Sequence, residues 1–241
     1  MSFSSSSLIE ASTPSKPKSF SYSIEKKCIK ISEYYYSLKR IIYDLDELEQ
    51  ILQKEHLINQ IDEIRFFHLR HELIFIPPFI KKITIHDNFY KHPINFLPIG
   101  LTHLIFSDNS EFNQPIDNLP PTLEYLKLGR EYNLPLDNLP SGLVSLIVGD
   151  YFNKPIDKLP LKLKNLTLGQ YFDCDLKMLP KTLECLKFTH AYSKYGTNKI
   201  QFNKSLDYLP KSLTELIICG DTDFKLKPFK KCSYLSGRHN I

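Results

Sequence analysis

Eight histidines and five cysteines are the residues of this 241-residue chain best suited to hold a metal or attack a substrate. The nearest approach to a ligand pattern is His68-x-x-His71, but no cysteine or acidic partner stands at ligand spacing, so no metal site is expected there. The cysteines, Cys28, Cys174, Cys185, Cys219 and Cys232, form no C-x-x-C pair. They read as isolated, reduced thiols of an intracellular protein rather than a disulfide framework. Carboxylates recur at Asp117, Asp137, Asp157 and Asp207, always just ahead of a Leu-Pro pair. A carboxylate repeated in one setting forms a turn, whereas acid-base catalysis needs two unlike environments. Neither G-x-x-x-x-G-K nor G-x-G-x-x-G occurs, and no nucleophile stands beside a base, so the expectation is a non-enzyme without cofactor, metal or small-molecule substrate.

The elements that carry these residues are written three times over. FNQPIDNLPPTLEYLKLGRE, YNLPLDNLPSGLVSLIVGDY and FNKPIDKLPLKLKNLTLGQY follow one another from Phe112. Repetition at so short a period marks a stacked array, in which a single unit cannot bury its own apolar face. Each unit ends in L-x-x-L-x-L, as at Leu123, Leu126 and Leu128, and alternation at period two predicts a short strand with Leu126 and Leu128 inward and residues 125 and 127 outward. The other half carries two prolines per unit, such as Pro115 and Pro120. An interior proline costs a helix about 3 kcal/mol, so the reverse side is predicted to be extended. Asn113, Asn133, Asn153 and Asn203 share one position and are expected to satisfy backbone groups at a corner, with Asp173 a weaker rung for want of an amide donor. Gly129, Gly149 and Gly169 follow the strands, where positive φ is expected.

Phe112-Asn113-x-Pro115-Ile116 and its copies resemble the FNIP repeat, a short variant of the leucine-rich repeat, over roughly residues 73–224. The resemblance implies a leucine-rich-repeat-like solenoid with a parallel sheet on one face, a role in protein binding, and an origin in amoebae or in the large DNA viruses that infect them. Relatives of such arrays can carry an F-box that recruits a ubiquitin ligase. That module begins with a Leu-Pro near its first helix, and no Leu-Pro precedes Leu97 here, so a substrate adaptor is the alternative to a plain interaction module.

The aliphatic-Pro pairs begin at 76, 97, 119, 139, 159, 179 and 209, which gives seven units and predicts an eighth strand around Ile61, Ile64 and Phe66. Ahead of them, residues 1–22 are rich in Ser, Pro and Lys and are read as unstructured. Residues 23–60 are read as an α/β cap, with short strands at 28–31 and 40–43. A helix over 45–57 is predicted from the capping box of Asp44 and Glu47 and the spacing of Leu45, Leu48 and Leu52. The solenoid runs over 61–224. Residues 225–241 form a basic tail or cap, with five Lys or Arg after Asp223 and no acid. The formal charge is +4, from 31 basic and 27 acidic groups, so the body is near neutral, which argues against a nucleic-acid reader. No apolar run of about eighteen residues and no signal sequence occurs, so neither a membrane nor secretion is expected and the chain is read as an intracellular monomer.

What varies from unit to unit is the outward row. His103, Ile105, Tyr125, Lys127, Ile147 and Lys187 are predicted to form an apolar strip flanked by positive charge, a combination that suits a protein partner. The step of 30 between Leu179 and Leu209 marks an insertion within 189–201 whose Tyr192 and Tyr195 extend the same candidate surface.

Overall fold

The computed structural model describes residues 20–25, 28–33, 61–69, 72–73, 76–189, 199–220 and 232–235. Eleven strands follow one another: β1 (Phe20–Glu25), β2 (Cys28–Glu33), β3 (Glu63–His68), β4 (Lys82–Ile85), β5 (His103–Phe106), β6 (Tyr125–Lys127), β7 (Ser145–Ile147), β8 (Asn165–Leu168), β9 (Cys185–Phe188), β10 (Glu215–Cys219) and β11 (Cys232–Leu235). They build one sheet in strict sequence order. β1 and β2 pair antiparallel as a hairpin, and every later neighbour pairs parallel, as in a solenoid that adds one strand per coil.

The eight strands predicted from the repeat are β3 to β10. The ladder exceeds them at both ends. β1 starts at Phe20, three residues inside the stretch read as unstructured, and β11 adds a rung within the basic tail. No helix occurs among the described residues; the predicted helix over 45–57 and the strand at 40–43 lie outside them.

Alternation sets the inward face. Leu126 and Leu128 are buried while Tyr125 and Lys127 are half-buried, and the same pattern holds along the array. Registered pairing puts Leu104, Leu126, Leu146, Leu166 and Leu186 into one continuous apolar row, each worth about 1.5 to 3 kcal/mol of burial. Behind it runs an aromatic spine, the Phe or Tyr that opens each unit. Tyr90, Phe112, Tyr132, Phe152, Phe172 and Phe202 are all buried, and ring centroids stand 6.2 Å apart between Phe112 and Tyr132, Phe152 and Phe172, and Phe172 and Phe202.

Proline shapes the return path as predicted. Each L-P-x-x-L closes a tight turn in which the residue three after the proline donates to the Pro carbonyl, as Leu123 N–H to Pro120 O and Leu143 N–H to Pro140 O, both at 3.0 Å. The next coil then hangs on its predecessor by one carbonyl that accepts twice. Glu124 N–H and Tyr125 N–H both donate to Thr102 O, and Val144 N–H and Ser145 N–H to Glu124 O.

Two expectations about special residues change. The asparagine ladder runs through side-chain oxygens alone: Asn133 N–H donates to Asn113 Oδ1, Asn153 N–H to Asn133 Oδ1, Asp173 N–H to Asn153 Oδ1 and Asn203 N–H to Asp173 Oδ1, at 2.9 to 3.0 Å. Only an acceptor is needed, so Asp173 is a full rung rather than a weak one, and its other oxygen takes an ion pair from Lys204 at 3.1 Å. The glycines after the strands do not adopt positive φ; among the described residues that conformation belongs to Gly220, at 130°. They are glycine because the coils touch there. A Cβ on Gly149 would stand 2.2 Å from Gly129 O, and one on Gly169 would stand 2.1 Å from Gly149 O.

Candidate functional site

The outward face of the sheet is built from the strand positions on either side of the buried central residue, such as Tyr125 and Lys127 around Leu126. Pairing aligns them in two columns. Lys82, His103, Tyr125, Ser145, Asn165, Cys185 and Glu215 form one; Thr84, Ile105, Lys127, Ile147, Thr167, Lys187 and Ile217 form the other. The structure brings His103 and Tyr125 together as a stack, with centroids 5.5 Å apart and planes at 17°. The Thr102 hydroxyl lies 2.9 Å from His103 Nδ1 and fixes the imidazole against the strand.

The apolar strip is not continuous. Ile105 and Ile147 occupy the same column two rungs apart, with Lys127 between them instead of beside them. Lys127 is drawn to the strand end, where its Nζ pairs with Asp108 at 2.8 Å. The physical reason is register: a period of two sends residues 105, 127 and 147 to the same column, and Tyr125 joins them from the neighbouring one. Lys187 stands two rungs beyond Ile147, with Thr167 between. Tyr192 and Tyr195 lie outside the described residues. The insertion leaves after Thr189 and returns at Lys199, whose carbonyl accepts from Gln170 Nε2 at 3.1 Å, so its root sits at the edge where the strands end.

That edge holds aromatic residues the sequence reading passed over. Tyr151 and Tyr171 occupy one repeat position on adjacent coils and stack at 5.1 Å and 9°, and Arg130 Nη2 donates to the Tyr151 hydroxyl at 3.0 Å. Two tyrosines twenty residues apart were the available signal. A second missed cluster lies at the start of the face. Glu63 accepts from Arg65 Nε at 2.8 Å and pairs with Lys82 Nζ at 3.2 Å, with Thr84 Oγ1 at 3.4 Å. Burial pulls this carboxyl up, but the hydrogen bonds from Arg65 and Lys82 outweigh burial and hold its pKa below the usual value. Beside it His86 stacks on Phe67 at 4.6 Å, and burial, followed by the Arg65 charge, lowers its pKa.

Burial, then the hydrogen bond and charge of Glu215, push the Cys185 thiol up to about 11, and burial, followed by the Asp173 charge, raises Cys174. Neither thiol is poised to ionise near neutral pH. Among the described residues no group of three or more His, Cys, Asp or Glu is placed to hold a metal ion, and no helix is long and apolar enough to cross a membrane.

The family model of the FNIP Repeat matches residues 112–151 and 152–190. Among solved structures the chain is similar to CroV588, described as a novel circular LRR protein, at 22% identity and a TM-score of 0.42 over 88% of this chain. The match covers 41% of that structure, so this chain spans about two fifths of its length. No curated protein matches the chain.

Proposed function

Since this chain carries FNIP repeats wound into a leucine-rich-repeat-like solenoid, we propose that it is a non-enzymatic interaction module that binds a protein partner on the outward face of its sheet. The contact centres on His103, Ile105, Tyr125, Lys127 and Ile147, with Lys187 at its rim. The observation that carries this reading is the division of labour along the strands. Inward positions repeat Leu or another large apolar residue on every rung, while the outward ones, most of them half-buried or exposed, change type from coil to coil. Rigid backbone support, a half-exposed aromatic and a charged rim are what a binding patch uses. The free thiols Cys174, Cys185 and Cys219 support action in a reducing, intracellular setting.

A photo-crosslinking residue at position 125 tests it, with position 138 on the reverse corner as control. Capture of one partner from 125 and not from 138, lost on Ile105→Ser with Ile147→Ser in a protein that still unfolds cooperatively, is the expected result. Capture of the same partner at both positions, or its persistence in the Ser variants, would overturn the assignment.

A further inference from the structure

Ahead of β5 to β10 the x-L-P-x corner exposes the residues on either side of its Leu-Pro, and their character changes along the solenoid. Ahead of β6 and β7 they are Asn118 and Pro121, then Asn138 and Ser141. Ahead of β8, β9 and β10 they become Lys158 and Leu161, Met178 and Lys181, Tyr208 and Lys211. Leu161, Met178 and Tyr208 are 78%, 62% and 55% exposed and lie on three successive coils; of the other three large hydrophobic residues so exposed among the described residues, Phe96 and Ile99 flank the Leu-Pro ahead of β5 and are separated from them by the polar corners ahead of β6 and β7, in a stretch without lysine. A single exposed Leu needs no explanation, whereas apolar side chains gathered on three successive coils mark a contact surface.

Charge follows the same boundary. From 157 to 162, 177 to 182 and 207 to 212 the three corners hold five lysines against Asp157 and Asp207, while the equivalent stretches ahead of β6 and β7 hold one Asp each and no lysine. Lys158 and Lys177 reach Asp137 at 3.3 Å and Asp175 at 2.9 Å. No ion pair among the described residues holds Lys162, Lys181 or Lys211. Lys177 also stands 5.8 Å from the centroid of the Tyr208 ring, so cation and aromatic already share one spot.

We propose that this corner is a docking site for a short acidic segment of another protein, with apolar side chains interleaved between its carboxylates. The size selects a segment. Three rungs at about 4.8 Å span about 10 Å, room for about three to five extended residues and far below the roughly 800 Å² per partner of a stable interface between folded proteins. The sign of the charge selects its chemistry and rules out the chain's own ends. Residues 1–19 carry Lys16 and Lys18 against Glu10, and residues after Asp223 carry five basic groups and no acid. The site is separate from the sheet face and does not depend on what that face binds.

The test titrates the full chain into a fluorescein-labelled dodecapeptide alternating Glu with Leu and Phe, read by anisotropy, with a Lys-for-Glu version of the peptide as control. Phosphatidylserine vesicles and a single-stranded oligonucleotide are the competing probes. The expected result is binding of the acidic peptide alone, weakened about tenfold by Lys181→Glu with Lys211→Glu. Leu161→Ser with Met178→Ser should weaken it independently, and Asn118→Ala, two coils before Leu161, should leave it unchanged. All of these positions are exposed, and thermal unfolding verifies that each variant keeps its fold. Absence of peptide binding, binding indifferent to both double variants, or vesicle or oligonucleotide binding lost in the same variants would each overturn the assignment.

Discussion

Replacing Gly149 by Ala adds one methyl group where two coils touch, and the cost follows from the geometry. The new Cβ would lie 2.2 Å from Gly129 O, 2.5 Å from Gly129 C and 2.6 Å from Arg130 Cα, all backbone atoms that no rotamer change can move aside. Bringing the oxygen contact to the 3.0 Å below which real Cβ contacts essentially never fall requires the coils to part by about 0.8 Å. At that edge Leu128 N–H donates to Ile147 O at 2.8 Å and Tyr151 N–H to Arg130 O at 3.0 Å. A gap wider by that amount stretches both past a useful length. Two backbone hydrogen bonds are worth about 1 to 3 kcal/mol net, similar to the usual cost of overpacking. A destabilisation of about 3 kcal/mol is therefore expected, or about 6 to 12 °C in Tm for a chain of this size. Gly142→Ala is the control, because its Cβ meets nothing closer than Pro121 O at 3.3 Å and it gains the same unfolded-state benefit. Urea unfolding of the two variants, followed by circular dichroism, gives the comparison. Equal stability of the two would refute the argument that coil contact, and not backbone conformation, dictates glycine after the strands.

Leu126→Ala should cost about 2 to 5 kcal/mol, while Lys127→Ala should cost less than about 1 kcal/mol because its pair with Asp108 is solvent-exposed, and urea midpoints of the two variants decide between them. The buried hydroxyl of Tyr132 has no hydrogen-bond partner among the described residues, whereas the Tyr90 hydroxyl donates to Pro93 O at 3.0 Å. Tyr132→Phe should therefore raise the melting temperature and Tyr90→Phe should lower it, each by an amount corresponding to about 1 kcal/mol. Asp173→Asn should keep the ladder, since an amide oxygen accepts as a carboxylate does, and Asp173→Leu should cost about 1 to 3 kcal/mol more on thermal unfolding. Glu63 has a folded pKa below its unfolded value, so its stabilisation is present above the ordinary value of 4.5 and lost as pH falls through the folded pKa. Unfolding followed from pH 7 to pH 3 should show a smaller loss of stability in Glu63→Gln than in the parent chain.

What could be read in advance was whatever repeats. Period-two alternation fixed which face of each strand is inward, from Leu104 to Leu216, because one slip would expose an entire row. Proline excluded a helical return, and the Asn column was found by its spacing. Relations between coils were harder to see. Asp173 was misjudged because its residue type was weighed without knowing that only an oxygen is used. The glycines were explained by φ, when the cause is a neighbour twenty residues away. In the candidate site the outward row was legible, yet Lys127 between Ile105 and Ile147 follows only from pairing register. The Glu63, Arg65 and Lys82 cluster joins two rungs nineteen residues apart where the repeat is degenerate, so no motif announced it.

The asparagine rungs carry a consequence for how such a chain changes length. Because Asn113, Asn133 and Asn153 present the same oxygen to the same amide of the following coil, excision of residues 133–152 would join Tyr132 to Asn153 and hand Asn153 N–H to the Asn113 Oδ1 it had never met. Spine, ladder and turn would all be restored by that splice. Gain or loss of twenty codons through unequal recombination is thus nearly silent to the fold, and the steps of 21 and 22 residues ahead of β5 and β6 show that the corners absorb smaller changes, whereas one residue added inside a strand turns the rest of that strand to the wrong face. Copy number becomes a heritable dial, and what it adjusts is the distance between surfaces carried on different coils.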